Sequence, residues 1–292
     1  MKNKETAAKL TLLGIAVIWG TSFVVLKNVL DSISTLWLLA IRFLTSAVFM
    51  LLFTWKKIGG INRQCLRGGI IMGIALLVAY VFQTYGLVYT TPGKNAFLTA
   101  TYCVLTPFLA WLVYRRNPGL SSYVAAVLCI TGVGFVSLSE GFTAINLGDM
   151  LTLVCGIFFA VQIIVMEEYR ESGDAAVLSM IEFTTAGVVF LILALLFEPI
   201  PKAVPASSVF GILYLSVMCT AICFFLQAWG MQYTSSSAAA MLMTLESVFG
   251  ALASVLFYHE KITLKMFIGF ALIFAAVVIS ELKPFGTEKT VE

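Results

Sequence analysis

Three ionisable side chains stand well inside long apolar stretches of this 292-residue chain: Arg42, Glu182 and Glu246. A charge at the centre of a bilayer costs about 2.5–3.5 kcal/mol on insertion scales, so each needs a partner or a task. Glu246 falls about midway along its stretch. A carboxyl taken out of water can exchange protons near neutral pH. The position therefore suits proton coupling or a seat for a substrate ammonium, and the plainer alternative is a hydrogen-bonded structural glutamate. Asn95, Thr99, Tyr102 and Thr106 recur at i, i+4, i+7 and i+11, one stripe of a helix. Trp19, Tyr80, Gln83, Gln162 and Gln227 add polar or aromatic groups within other apolar stretches. Such residues line a polar cavity or act as interhelical hydrogen bonds worth about 0.6 kcal/mol each. The rings of Trp19, Tyr80 and Tyr102 suit an apolar or cationic portion of a ligand.

Other chemistries find no support. The lone His259 stands in a turn with Glu260 and Lys261, and there is no HExxH and no GxxxxGK[ST]. The six cysteines form no CxxC pair, and five lie in apolar runs, so they read as small membrane-buried residues. No nucleophile, base and orienter assemble. An enzyme, a metal site and a cofactor are therefore not expected. Lys94 is expected to be solvated at a helix start, and Gly69 with Gly73 to permit close helix packing.

The elements that hold these residues follow from composition. Hydrophobic residues make up 60% and charged residues 11%, against roughly 25% charged in soluble domains. So few charges cannot coat a water-facing surface, and the outside must face lipid. A net charge of +3 gives no argument for nucleic acid. Ten apolar segments reach the length of about 20 residues that a bilayer core requires. They lie roughly at 8–30, 35–55, 67–89, 93–114, 120–139, 147–167, 175–197, 207–230, 236–258 and 263–282. Runs this continuously apolar exclude barrel strands. The first, after MKNKETAAKL, is too long for a signal-peptide core and is expected to be retained as helix 1.

The halves resemble each other. A shift of 140 carries Leu38, Ile41, Phe43, Thr45 and Val48 onto Leu178, Ile181, Phe183, Thr185 and Val188. A shift of 144 carries Gln83, Gly86, Tyr89 and Thr90 onto Gln227, Gly230, Tyr233 and Thr234. Two repeats are expected, residues 1–140 and 141–292, with five helices each. Five is odd, so the second copy is inverted, an arrangement typical of secondary transporters with a midplane site at the repeat interface. Arg42 and Glu182 then occupy equivalent positions toward opposite faces, as gating or structural groups that do not pair directly. On the same shift Glu246 stands where Tyr102 stands in the first half. With the N-terminus cytoplasmic, twelve basic residues lie inside and five outside, which places both termini in the cytoplasm of a cell-membrane protein.

Several stretches resemble one family. Ile18-Trp19-Gly20-Thr21-Ser22-Phe23 is similar to a WG(x)SF opening, and Ala40-Ile41-Arg42-Phe43 to an (A)xRF signature. YGLVYTTPGKNAFLTATYCVLTPFL across helices 3 and 4, and LESVFGALASVLFYHEKIT from helix 9, with Glu246 and Glu260, complete the pattern. Together they resemble EamA-type members of the drug/metabolite transporter superfamily over nearly the whole chain. The departures are Ser247 for a usual proline, Arg115-Arg116-Asn117 for a short acidic motif, and Phe159 at the position matching Trp19. The resemblance implies a cavity lined mainly by helices 1, 3, 4, 6, 8 and 9. It would include Trp19, Tyr80, Gln83, Asn95, Thr99, Tyr102, Gln162, Gln227 and Glu246.

The expected function is a secondary transporter, an exporter by family analogy, working by alternating access of the two repeats. Its substrate would be a small metabolite, amino acids or related compounds foremost, with protons coupled through Glu246. The alternatives are multidrug efflux and a non-transporting membrane assembly or lipid-handling protein.

Overall fold

The computed structural model describes residues 2–115, 117–138, 146–201, 203–230, 233 and 236–284. Arg116, Lys202, Thr234, Lys289 and the expected boundary at residues 140 and 141 lie outside the described residues. All regular structure among the described residues is helical. In chain order α1 is Lys2–Leu30, α2 Thr35–Thr54 and α3 Arg63–Tyr89. Next come α4, Pro92–Tyr114 with a turn inside it, α5 Leu120–Ser137, α6 Leu147–Tyr169 and α7 Ala175–Phe197. Three joined pieces, Ala206–Leu213, Tyr214–Ile222 and Cys223–Gly230, make α8, then α9 is Ser236–Phe257 and α10 Leu264–Leu282. Among the described residues nine of these are long and apolar enough to span a membrane, and the tenth, Ser236–Phe257, is a helix of 22 residues. Ten crossings put both termini at one end of the bundle, called here the termini end, the other being the far end.

Local sequence sets the starts. Asn62, Thr91, Asn146, Asp174 and Thr263 accept hydrogen bonds from the first-turn N–H groups of α3, α4, α6, α7 and α10. Pro92 follows Thr91 at the first helical position, where its missing N–H costs nothing.

Two helices depart from the uninterrupted rods expected. In α4 the ladder breaks at Ala100–Thr101, where Thr101 N–H reaches Leu98 O at 3.3 Å and Cys103 N–H reaches Ala100 O at 3.1 Å. These shorter steps re-phase the faces on either side, so the Asn95–Thr106 stripe does not stay on one wall. In α8, Tyr214–Ile222 is a π-helix. Its wider turn lets the Thr220 hydroxyl donate to Leu215 O at 2.8 Å. Insertions of this kind are rare and gather at functional sites.

The inversion shows in which residues meet. The repeat-equivalent rings of Phe43 on α2 and Phe183 on α7 lie 6.0 Å apart, with Phe190 stacked on Phe43 at 5.7 Å. The two halves therefore face each other across a pseudo-twofold axis. Where α3 crosses α6, a Cβ on Gly86 would stand 2.5 Å from Thr152 Oγ1, and one on Gly148 would stand 2.6 Å from Gly86 O. Only glycine lets these backbones approach so closely. Outward, Ile130, Phe197, Phe210 and Leu264 are each at least 72% exposed, an apolar surface that fits lipid.

Lys94, expected in solvent, is 2% exposed. All eight residues of Pro92–Thr99 are buried, because this half of α4 runs through the centre of the bundle. Asp149 in the first turn of α6 is likewise fully buried and accepts from the Thr90 hydroxyl at 2.6 Å.

Candidate functional site

A cavity of about 280 Å³ lies within the bundle. It is lined by Trp19, Ser22, Phe23 and Leu26 of α1, Arg42 of α2, Tyr80 and Gln83 of α3, and Thr99, Tyr102 and Cys103 of α4. Phe159, Gln162 and Met166 of α6, Phe224 and Gln227 of α8, Met243, Thr244 and Glu246 of α9 and Glu281 of α10 complete most of the wall. Met166 and Glu281 lie near the termini-end tips of their helices, so the space runs from the middle of the bundle toward that end.

Six aromatic rings, Trp19, Phe23, Tyr80, Tyr102, Phe159 and Phe224, stand in the wall. Trp19 packs on Phe224 at 5.5 Å, and Phe159 meets Tyr80 at 5.5 Å and Tyr102 at 6.1 Å. The Trp19 indole N–H donates to Cys219 O at 2.6 Å, within the π-helical part of α8. Trp19 thus offers its ring to the cavity while its N–H holds α1 to α8.

Arg42 is 4% exposed. Its Nε–H donates to Thr220 Oγ1 at 3.0 Å and an Nη2–H to the Tyr80 hydroxyl at 3.4 Å. The guanidinium carbon stands 4.9 Å from the Tyr80 ring centroid, a cation–π contact. Among the described residues no hydrogen bond or ion pair reaches the Glu246 carboxylate. No Arg42 nitrogen comes within 4.0 Å of it. A guanidinium and a carboxyl group thus line one cavity without closing on each other.

Eight of the nine expected lining residues meet here: Trp19, Tyr80, Gln83, Thr99, Tyr102, Gln162, Gln227 and Glu246. Asn95 does not line the cavity. It is fully buried, with its amide donating to Thr152 Oγ1 at 2.7 Å and Gln83 O at 3.2 Å, and so ties α4 to α6 and α3. Gln83 itself donates to Thr99 Oγ1 at 3.3 Å. Arg42 lines the cavity, whereas Glu182 lies behind the wall and accepts from Gln162 Nε2 at 2.8 Å. The sequence reading missed Glu281, an acid in the last turn of α10, where the helix dipole disfavours it. That unfavourable placement was the available signal.

It also missed how the far end closes. Lys27 Nζ donates to the α3 C-terminal carbonyls of Leu87 at 2.6 Å, Val88 at 3.0 Å and Thr90 at 3.1 Å. Glu198 accepts from the α2 N–H groups of Leu36 at 3.0 Å and Trp37 at 3.2 Å. Glu260 accepts from Gly93 N–H of α4 at 3.0 Å and from the hydroxyls of Thr91 and Ser254. Each charge meets a helix end of opposite partial charge. His259, in left-handed backbone at φ 56°, turns the chain so that Glu260 reaches back to α4. At the termini end the cross-links are Lys57–Asp174 at 2.6 Å, Asn62 Nδ2 to Ser172 O at 2.8 Å and Tyr114 to Glu168 at 3.0 Å.

The EamA-like transporter family matches this chain twice, over residues 6–138 and 146–282. An uncharacterized transporter of Archaeoglobus fulgidus is 33% identical over 288 residues, covering 96% of this chain and 87% of its own. Protein PecM of Dickeya dadantii is 23% identical, covering 94% of this chain and 93% of its own. A protein crystal structure superposes with a TM-score of 0.69 at 15% identity, covering 96% of this chain and 99% of its own, which shows a shared fold. Two matched halves on a ten-helix inverted bundle make this chain a multi-pass membrane transporter that belongs to the EamA-like transporter family.

Proposed function

We propose that this transporter exports small zwitterionic metabolites, amino acids and related compounds foremost, by alternating access of its two repeats. The observation that carries this reading is the cavity shared by Arg42 and Glu246, which stay apart. A guanidinium recognises a carboxylate, and a carboxylate seats an ammonium. The rings of Trp19, Tyr80 and Tyr102 hold the apolar remainder. Gln83, Thr99, Gln162 and Gln227 supply hydrogen bonds along the wall, while Asn95 and Glu182 act behind it as positioning groups.

The basic-residue bias supports both termini in the cytoplasm. On that orientation the far-end cross-links close the outer side, and the cavity approaches the inner side, as in an inward-facing state. Substrate would enter there and leave when the repeats rock. Protons couple through Glu246, whose carboxyl has no hydrogen-bond or ion-pair partner among the described residues.

The test compares media of cells expressing the wild type and Glu246→Ala at equal levels, by untargeted mass spectrometry. A zwitterionic class that accumulates outside only with the wild type supports the reading. Identical media would remove constitutive export of such compounds.

A further inference from the structure

Glu281 is a second carboxyl group on the cavity wall. It lines the same cavity as Arg42 and Glu246 but comes from α10, the one residue of that helix to do so. It stands in the last turn of Leu264–Leu282, where unpaired carbonyls make a carboxylate unfavourable. Among the described residues no ion pair within 4.0 Å neutralises it. Lys283, just beyond, is exposed and serves as the helix's left-handed C-cap, with φ 46°. The neighbouring Ser280 hydroxyl donates to Cys103 O at 3.1 Å and fixes this end of α10 against α4, beside Tyr102. The Glu281 carboxyl thus stands at the cavity wall beside the Cys103 thiol, against the preference of its own helix.

The charges that line the space are then one guanidinium and two carboxylates. A complementary ligand carries one anionic group and two cationic groups. Glu246 lies near the middle of α9, and Glu281 lies at the termini end, on the side of the cavity reached by Met166. The second cationic group therefore belongs on the part of the ligand that points to that end. We propose that Glu281 is a specificity-determining residue, and that the substrate is an amino acid with a basic side chain or a close analogue. This rests on the zwitterion reading: Arg42 takes the carboxylate, Glu246 the α-ammonium and Glu281 the side-chain cation.

The test uses the full-length protein in lipid nanodiscs and titrates L-lysine, L-norleucine and cadaverine by calorimetry. Norleucine keeps the zwitterion and lacks the terminal amine, and cadaverine keeps both amines and lacks the carboxylate. The wild type is expected to bind lysine at least tenfold more tightly than either. Glu281→Gln is expected to erase the lysine preference over norleucine and leave norleucine unchanged, while Glu281→Asp retains part of the preference. If the wild type binds lysine and norleucine equally, or Glu281→Gln keeps the preference, the role of Glu281 is overturned and the zwitterion reading stands. If cadaverine equals lysine, or neither amino acid binds, the zwitterion reading fails as well.

Discussion

Arg42 and Glu246 line one cavity, yet no nitrogen of the first comes within 4.0 Å of an oxygen of the second. A buried ion pair would be self-sufficient. Two separated charges in a low-dielectric space instead leave room for a ligand that satisfies both. Arg42 is held by Thr220 and Tyr80 on one side of its guanidinium, which leaves other N–H groups for a carboxylate. Arg42→Lys keeps the charge and loses the planar fork. It is expected to weaken substrate binding about 10–100-fold, near the range of about 1.5–3 kcal/mol for hydrogen bonds to charged groups. Binding measured in nanodiscs checks this, and a lysine variant of wild-type affinity would assign Arg42 to structure alone.

If Glu246 carries the coupling proton, a neutral isostere separates coupling from translocation. Glu246→Gln in proteoliposomes is expected to retain substrate counterflow at symmetric pH, with affinity reduced about tenfold. It is also expected to lose the extra accumulation that a pH gradient drives in the wild type. A gradient response that survives the substitution would move the coupling site away from Glu246.

Trp19 tests the π-helical segment. Its N–H bond to Cys219 O at 2.6 Å joins α1 to the wide turn of α8, while its ring faces the cavity. Trp19→Phe keeps an aromatic wall and removes that bond. The expected loss is about 1 kcal/mol, or a fall of about 2–4 °C in the thermal midpoint for a chain of this size. An unchanged midpoint would mean that water or a neighbouring donor takes over at Cys219 O.

The number of crossings and the inverted duplication are legible in the sequence, because lipid demands long apolar helices and the repeat shift pairs Phe43 with Phe183, and eight of the residues that line the cavity stand out there as polar or aromatic groups within apolar runs. What escaped was local irregularity within helices and contacts between distant parts of the chain. Nothing in the apolar run around Tyr214–Ile222 signals a wider helical turn. The break at Ala100–Thr101 contains neither proline nor glycine, so the Asn95 stripe reads as continuous until the ladder is seen to tighten. Asn95 thereby turns toward Thr152. Lys27, Glu198 and Glu260 each bond main-chain groups some 60 to 170 residues away in sequence. A periodicity argument cannot reach such contacts.

Glu260 provides a test of closure at the far end. Its carboxylate takes Gly93 N–H and the hydroxyls of Thr91 and Ser254, and so pins the α9–α10 connection to the start of α4. Glu260→Gln keeps the shape and weakens charge-assisted bonds, by about 1 kcal/mol in all, enough to raise a minor open state about fivefold. In a cysteine-free background, labelling of Leu26→Cys by a membrane-impermeant thiol reagent from the far side is expected to quicken by that factor. An unchanged rate would show that Glu260 holds the two states equally.

At the termini end, Asp174 serves two functions that pH and substitution separate. It caps α7 by accepting Ala176 N–H at 3.0 Å, and it meets Lys57 at 2.6 Å. Partial burial acts to raise its pKa, but the hydrogen bond and charge of Lys57 and the N–H groups of Ala176 and Val177 outweigh it and hold the carboxyl below its ordinary 3.8. A depressed carboxylate stabilises the fold fully above its unfolded value. That contribution fades as pH falls through the lower folded value. Both side chains are well exposed, at 53% and 39%, so solvent screens the pair, and its coupling is expected to stay under about 1 kcal/mol. Asp174→Asn keeps a good cap and loses the pair, whereas Asp174→Ala loses both and costs about 1 kcal/mol more. Thermal midpoints measured from neutral pH downward are expected to show a small deficit for Asp174→Asn that disappears in strong acid. A deficit of equal size at every pH would assign the effect to the cap rather than to the charge.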